Sequence, residues 1–216
     1  EKLEALWSKV DTLHRAHYPG HKLQPILGGG ETHRPKVMFV FINPTRRNIS
    51  SDPAWRGPRY PFIGTKQIWR VFHRAGLFND QLIRQIERNS TWTVEFANRV
   101  SDFLRKRGFY LTNLVKWTGY DAQLPDAAKI KLFLPILQEE IKIVQPKYIV
   151  TFGTLPFTAL TKQAIKLDEY YSEAVRTKKL RSFELESAKV IPCYFPIGRG
   201  SPRRAVEILK LLNALE

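Results

Sequence analysis

One cysteine, Cys193, stands in a chain of 216 residues. A lone thiol forms no internal disulfide and cannot by itself supply a four-thiolate zinc or iron–sulfur site. No apolar run reaches membrane-spanning length, and the opening EKLEALWSKV lacks a signal-peptide pattern. The expectation is an intracellular protein, cytoplasmic or nucleoid-associated (nuclear if the source is eukaryotic), with no membrane partner. Familiar catalytic signatures are also missing: there is no G-x-S-x-G elbow, no H-E-x-x-H pair and no Walker phosphate loop. Acidic residues are scarce, 20 Asp+Glu against 35 Lys+Arg, for a formal charge of +15. Such an excess favours a polyanionic partner, foremost a nucleic acid.

What is present suits one α/β domain over 1–216, with a helix and linker at 1–30 packed on it; the length is ample for one core. Leu3, Leu6, Trp7, Val10 and Leu13 fall on one helical face, and residues 28–30, all glycine, read as a flexible link. KVMFVFI, GFYLTNLV and PKYIVTFG read as buried strands, and KLRSFEL with KVIPCYFPI as a final pair. Between them TKQIWRVFHRAGLF, the stretch 94–106, DAAKIKLFLPILQEEIKIV with its internal Pro135, TLPFTALTKQAI and SPRRAVEILKLLNAL read as helices. Alternating strands and helices predict a three-layer α/β/α sandwich on a mainly parallel sheet.

Ligands of such folds bind beyond the carboxyl ends of the strands. Three strand ends carry polar or basic residues: FINPT, LTNLVKW and CYFPIGRGS. The first opens a long loop, NPTRRNISSDPAWRGPRYPF, whose four prolines and four arginines argue for an ordered binding loop. The histidines, His14, His17, His21, His33 and His73, avoid all three ends. His14, His17 and His21 have a spacing that could hold a metal. An all-histidine cluster is a weak signal, however, and a solvated helix end is the expectation.

VMFVFINPT, YPFIGTKQIWRVFHRAGLF, YLTNLVKW, PKYIVTFGTLPFTAL and FPIGRGSPRRA, in this order, resemble the uracil-DNA glycosylase superfamily over residues 36–215. The first segment is most similar to the mismatch-specific uracil/thymine branch; the middle looks more like the iron–sulfur branch, whose cysteines this chain lacks. The resemblance implies a monofunctional glycosylase that flips uracil or a related deaminated or mismatched base out of DNA and leaves an abasic site for excision repair. It implies DNA as partner (double-stranded with a mispair, or single-stranded), a monomer, and no metal or cofactor. Asn43 would orient the water, Asn113 read the base edge, Phe62 stack on the base and Ile42 line the pocket. Arg46, Arg47 and Lys116 would grip DNA. Gly198, Gly200 and Ser201 would approach its backbone, Arg199 would wedge into the duplex, and Arg203 and Arg204 would touch phosphates. Phe195 departs from the family's usual His or Asn, which opens an alternative: a non-catalytic nucleic-acid-binding member of the same fold.

Overall fold

The computed structural model describes residues 1–215. Strand-forming runs build the sheet at its centre. Helix α1 (Lys2–His17) leads into β1 (Gly29–Gly30) and β2 (Val37–Phe41), followed by a loop with a 3₁₀ turn at Ile49–Ser51. Then come α2 (Gln67–Arg74), α3 (Asp80–Arg88), α4 (Val94–Lys106), β3 (Phe109–Asn113), α5 (Ala127–Val144) and β4 (Tyr148–Phe152). The chain ends with α6 (Thr154–Thr161), α7 (Leu167–Thr177), β5 (Phe183–Leu185), β6 (Ala188–Cys193) and α8 (Pro202–Leu211), closed by a 3₁₀ turn at Leu212–Ala214.

The sheet order is β1-β3-β2-β4-β6-β5. Its four central strands are parallel, and only the edge strands β1 and β5 run antiparallel. This is the expected α/β/α sandwich. Pleat alternation sends Phe39, Phe41, Phe109, Leu111, Val150 and Phe152 to one face, against α2, α3, α4 and α8. Met38, Val40, Tyr110, Ile149 and Val190 turn to the other, against α1, α5 and α6. Pro192 fits within β6 because Lys189 N–H and Cys193 C=O mark the odd positions as those bonded to β4. The even positions face β5, which ends opposite Val190, so the missing N–H of Pro192 breaks no ladder bond.

Two helices, α3 and α7, lie outside the elements expected from sequence. α3 is well signalled locally: Asn79 Oδ1 accepts from the N–H groups of Gln81 and Leu82, and Leu82, Ile83 and Ile86 are buried. α5 runs through Pro135, which sits on its solvent side.

Residues 28–30 are not a flexible link. Gly29 and Gly30 pair with Leu111 and Tyr110 as edge strand β1. A Cβ on Gly28 would fall 2.2 Å from the Tyr110 hydroxyl, and one on Gly30 would fall 2.2 Å from the Phe109 carbonyl oxygen, with φ there at +112°. The glycines are needed for close approach. Gly30→Ala should therefore destabilise the protein by roughly 1–3 kcal/mol, the range for a forced unfavourable backbone conformation, read as a lowered denaturant midpoint.

The histidine cluster also differs from expectation. His14 is buried, with its Nε2 unpartnered, and its ring lies 5.5 Å from that of His21. His21 stacks on Trp117 and bonds to the Thr118 carbonyl. Among the described residues no group of His, Cys, Asp or Glu could hold a metal. Burial first, then His21, holds the His14 imidazole down to about 4. The unfolded chain thus binds a proton at His14 that the native state refuses, so stability is lost as pH falls from about 6.5 toward 4. His14→Phe should flatten that part of the melting-temperature profile.

Candidate active site

The carboxyl ends of the parallel strands form one edge, and its centre is unusually well tied. Phe41 pairs with Asn113 in register. The pairing continues past the sheet: Leu114 and Val115 N–H groups donate to the Phe41 and Ile42 carbonyls at 2.9 and 3.0 Å. Farther out, Gly119 N–H donates to Pro44 C=O and Arg46 N–H to Gly119 C=O, each at 2.9 Å. The loops after β2 and β3 therefore travel together, and Asn43 and Asn113 hold a fixed relation.

Asn113 is buried, and its side-chain Nδ2 has no hydrogen-bond partner. A buried amide donor left unmade costs about 1–3 kcal/mol, so a free one at a strand end is a candidate contact for a ligand. Asn43 is half-buried, and its Nδ2 makes only a 3.3 Å contact with the adjacent Pro44 carbonyl. Phe62 is half-buried, edge-on to Phe41 with ring centroids 4.6 Å apart. Its φ of +68° is strained for an aromatic residue. Surrounding bonds enforce it: its carbonyl accepts from Trp69 Nε1, Thr65 Oγ1 and Thr65 N–H. Nearby, Asn48 Nδ2 donates to Tyr60 C=O, and Arg59 makes a two-pronged bond to Asp11 of α1. Strain that is over-determined in this way clusters at functional sites. Ile42 is buried, and its Cδ1 approaches the space beside Gly153 at the end of β4.

After β6, Gly198 takes φ +58°, and Gly200 lies so close to the Phe195 carbonyl that a Cβ would fall 1.8 Å from its oxygen. Ser201 N–H donates to Phe195 C=O and Gly200 N–H to Ile197 C=O. The N–H groups of Ile197, Gly198 and Arg199 have no protein acceptor among the described residues. Ser201 caps α8, with Pro202 at its first turn, but its hydroxyl makes no capping bond. Arg46, Arg47 and Arg199 are exposed and lack ion pairs among the described residues. Arg203 is also extended into solvent, 91% exposed, with Glu207 at 3.9 Å.

Two expected DNA contacts differ. Lys116 is fully buried on the opposite side of the sheet, its ammonium bound to Glu140 Oε2 at 2.6 Å. It cannot reach a phosphate, because the side chain turns toward Thr112 and α5. Arg204 folds back: Nη1 bonds Asp168 at 2.6 Å and Tyr194 Oη at 2.9 Å, and its guanidinium lies over the Tyr171 and Tyr194 rings. Glu140 itself was hidden from the sequence reading, although a signal exists. It falls within the apolar stripe Phe133, Ile136, Leu137, Ile141, Val144, where a carboxylate needs a buried partner.

The model of the uracil DNA glycosylase superfamily matches residues 27–215, nearly the whole chain. The chain belongs to the uracil DNA glycosylase superfamily, a family of glycosylase hydrolases that act on DNA. No curated protein matches it. Among the described residues no helix is long and apolar enough to cross a membrane.

The two arginines of α8 separate experimentally. Arg204→Gln should lower the melting temperature by breaking its bonds to Asp168 and Tyr194. Arg203→Gln should leave it unchanged, because a nearly solvated pair at this distance contributes little. Thermal denaturation of the two variants side by side checks this.

Proposed function

We propose that the protein excises uracil, or a closely related deaminated base, from DNA by flipping it from the stack and hydrolysing its N-glycosidic bond. The observation that carries this reading is the buried, unpartnered amide of Asn113 at a strand end paired with Phe41, two residues before Asn43. A carboxamide offers one acceptor and two donors. It matches the N3–H and O4 edge of uracil, whereas cytosine presents an amine where uracil presents O4.

Breaking the bond builds cationic character on the sugar and negative charge on the base. Asn43 would hold the attacking water and support the cation; an amide is a poor base, so its contribution is orientation. Phe62 would stack on the flipped base and Ile42 close the pocket toward β4. Phe195 has no donor for the departing base, so the unclaimed N–H groups of Ile197, Gly198 and Arg199 are the donors available for its O2. Arg199 would occupy the gap in the duplex, and Arg46, Arg47 and Arg203 would hold phosphates. The amine of Lys116 is engaged by Glu140, which supports water as nucleophile and a monofunctional hydrolase. The protein would act as a monomer, without metal or cofactor.

The test is incubation with end-labelled oligonucleotides carrying one uracil, hypoxanthine or mismatched thymine, followed by alkali. Strand scission at uracil is expected. No scission at any of these bases favours the second reading, a DNA-binding member without catalysis, for which the apolar Phe195 speaks. Asn43→Ala should slow single-turnover cleavage by roughly 10²-fold or more, as when one preorganised polar group is lost, while leaving DNA affinity nearly unchanged. Asn113→Asp should weaken uracil excision and shift preference toward cytosine. Parental rates in either variant would remove that residue from the site.

A further inference from the structure

Beneath Asn113 lies a closed polar network that the proposed chemistry does not use. Lys116 Nζ donates to the Asn113 backbone carbonyl at 2.9 Å, to Glu140 Oε2 at 2.6 Å and, in a short bond, to Thr112 Oγ1. Glu140 Oε1 accepts from Tyr110 Oη at 2.7 Å, and Oε2 also accepts from Thr112 Oγ1 at 3.1 Å. Lys116 and Glu140 are both fully buried. All three ammonium hydrogens are therefore used.

The carbonyl of Asn113 explains why such a network is needed. Leu114 N–H points to β2, so its neighbour Asn113 faces the opposite side, toward β1. β1 covers only Tyr110 and Leu111. The Asn113 carbonyl is thus buried beyond the end of its ladder, and the Lys116 ammonium is the donor that satisfies it. A buried ion pair is seldom the most stabilising choice; an apolar pair of like volume often does as well or better. What it adds is direction at one peptide group. The peptide that Lys116 holds is the one whose side chain presents the free amide.

We propose that Lys116 and Glu140 are positioning residues that aim the Asn113 side chain at the base by fixing its backbone carbonyl. The inference rests on the base-reading role proposed for Asn113. The paired replacement Lys116→Met with Glu140→Gln removes both charges together, so no lone buried charge remains. In the full-length protein it should keep DNA affinity yet slow single-turnover uracil excision by up to roughly 10²-fold, the scale of a small misplacement in a preorganised site. In an Asn113→Ala background the same replacement should cost nothing further. A loss of equal size there would assign the pair to general structure and overturn the proposal, as would a parental rate in the paired variant.

If the paired variant does not fold, Thr112→Val, which keeps a strand-favouring shape, removes one arm of the network. It should give a smaller loss with the same dependence on Asn113; a parental rate there overturns the proposal. If the parent excises no base, the functional reading fails, and the positioning claim is read separately from the Asn113 side-chain amide signals in nitrogen–proton NMR spectra. Those signals should move or broaden in the folded network variant, and unchanged signals overturn the claim.

Discussion

The β2–β3 pairing does not stop where the sheet stops, and the site depends on that. Sheets normally splay at the carboxyl edge, because each strand turns into its own connection. Here the backbone bonds from Leu114 and Val115 to Phe41 and Ile42 carry the ladder into the loops, and Gly119 with Pro44 and Arg46 extends it again. Each bond is modest, about 1 kcal/mol net. Together they remove the freedom by which Asn43 and Asn113, on segments distant in sequence, would drift apart. A reaction that must hold water, sugar and base in one geometry requires this kind of rigidity.

Pleat alternation then sorts the chemistry by face. Leu111 and Phe41 lie in the core beneath α2, α4 and α8, and Phe62 packs against that core. Tyr110 turns to the other face and Thr112 follows it, meeting Glu140 and Lys116 against α5. One short strand, FYLTN, therefore serves two purposes. Alternate residues build an apolar layer and a sealed polar network, and its last residue offers the free amide. Shifting the register by one residue would exchange the two faces.

This sorting also marks what can be read from sequence. The four buried strands, the long α5 and the closing helix with Ser201 and Pro202 at its start follow from apolar runs and caps, which are local signals. The strand-end asparagines are legible because the α/β rule places ligands there, and Phe62 because it sits in a motif. Lys116 misleads: beside Trp117 after a strand it looks like a surface cation, and only the partner 24 residues on shows its burial. The glycines at 28–30 mislead for the same reason. Their role is set by the Tyr110 hydroxyl and the Phe109 carbonyl, groups that meet them only in the folded chain. α3 and α7 are short and pack on other helices, α3 on α2 and α7 on α8, so they fall outside the strand–helix alternation even though Asn79 caps α3 locally.

The net charge of +15 is likewise a sum over groups that do different things. Arg59 ties the first loop to α1, Arg70 is held by Glu87, Arg204 by Asp168 and Tyr194, and Lys116 by Glu140. Of these, Lys116 is sealed from solvent and Arg59 largely so, while Arg70 and Arg204 are exposed cations already engaged by a carboxylate. Arg46, Arg47 and Arg199 are different, since they stand exposed, without ion pairs among the described residues, on the loops after β2 and β6. Other exposed cations, among them Lys22, Arg74, Arg88 and Lys178, also lack ion pairs among the described residues, so free positive charge is spread over the surface as well as set at the carboxyl edge. Salt screens charges farther apart than about 8–10 Å, so the cations that bear on the strand-end asparagines are chiefly those of the edge loops rather than the whole-molecule sum. Arg46, Arg47 and Arg199 thus share one edge with the two asparagines, although the charges and the amides arise from unrelated features of the sequence.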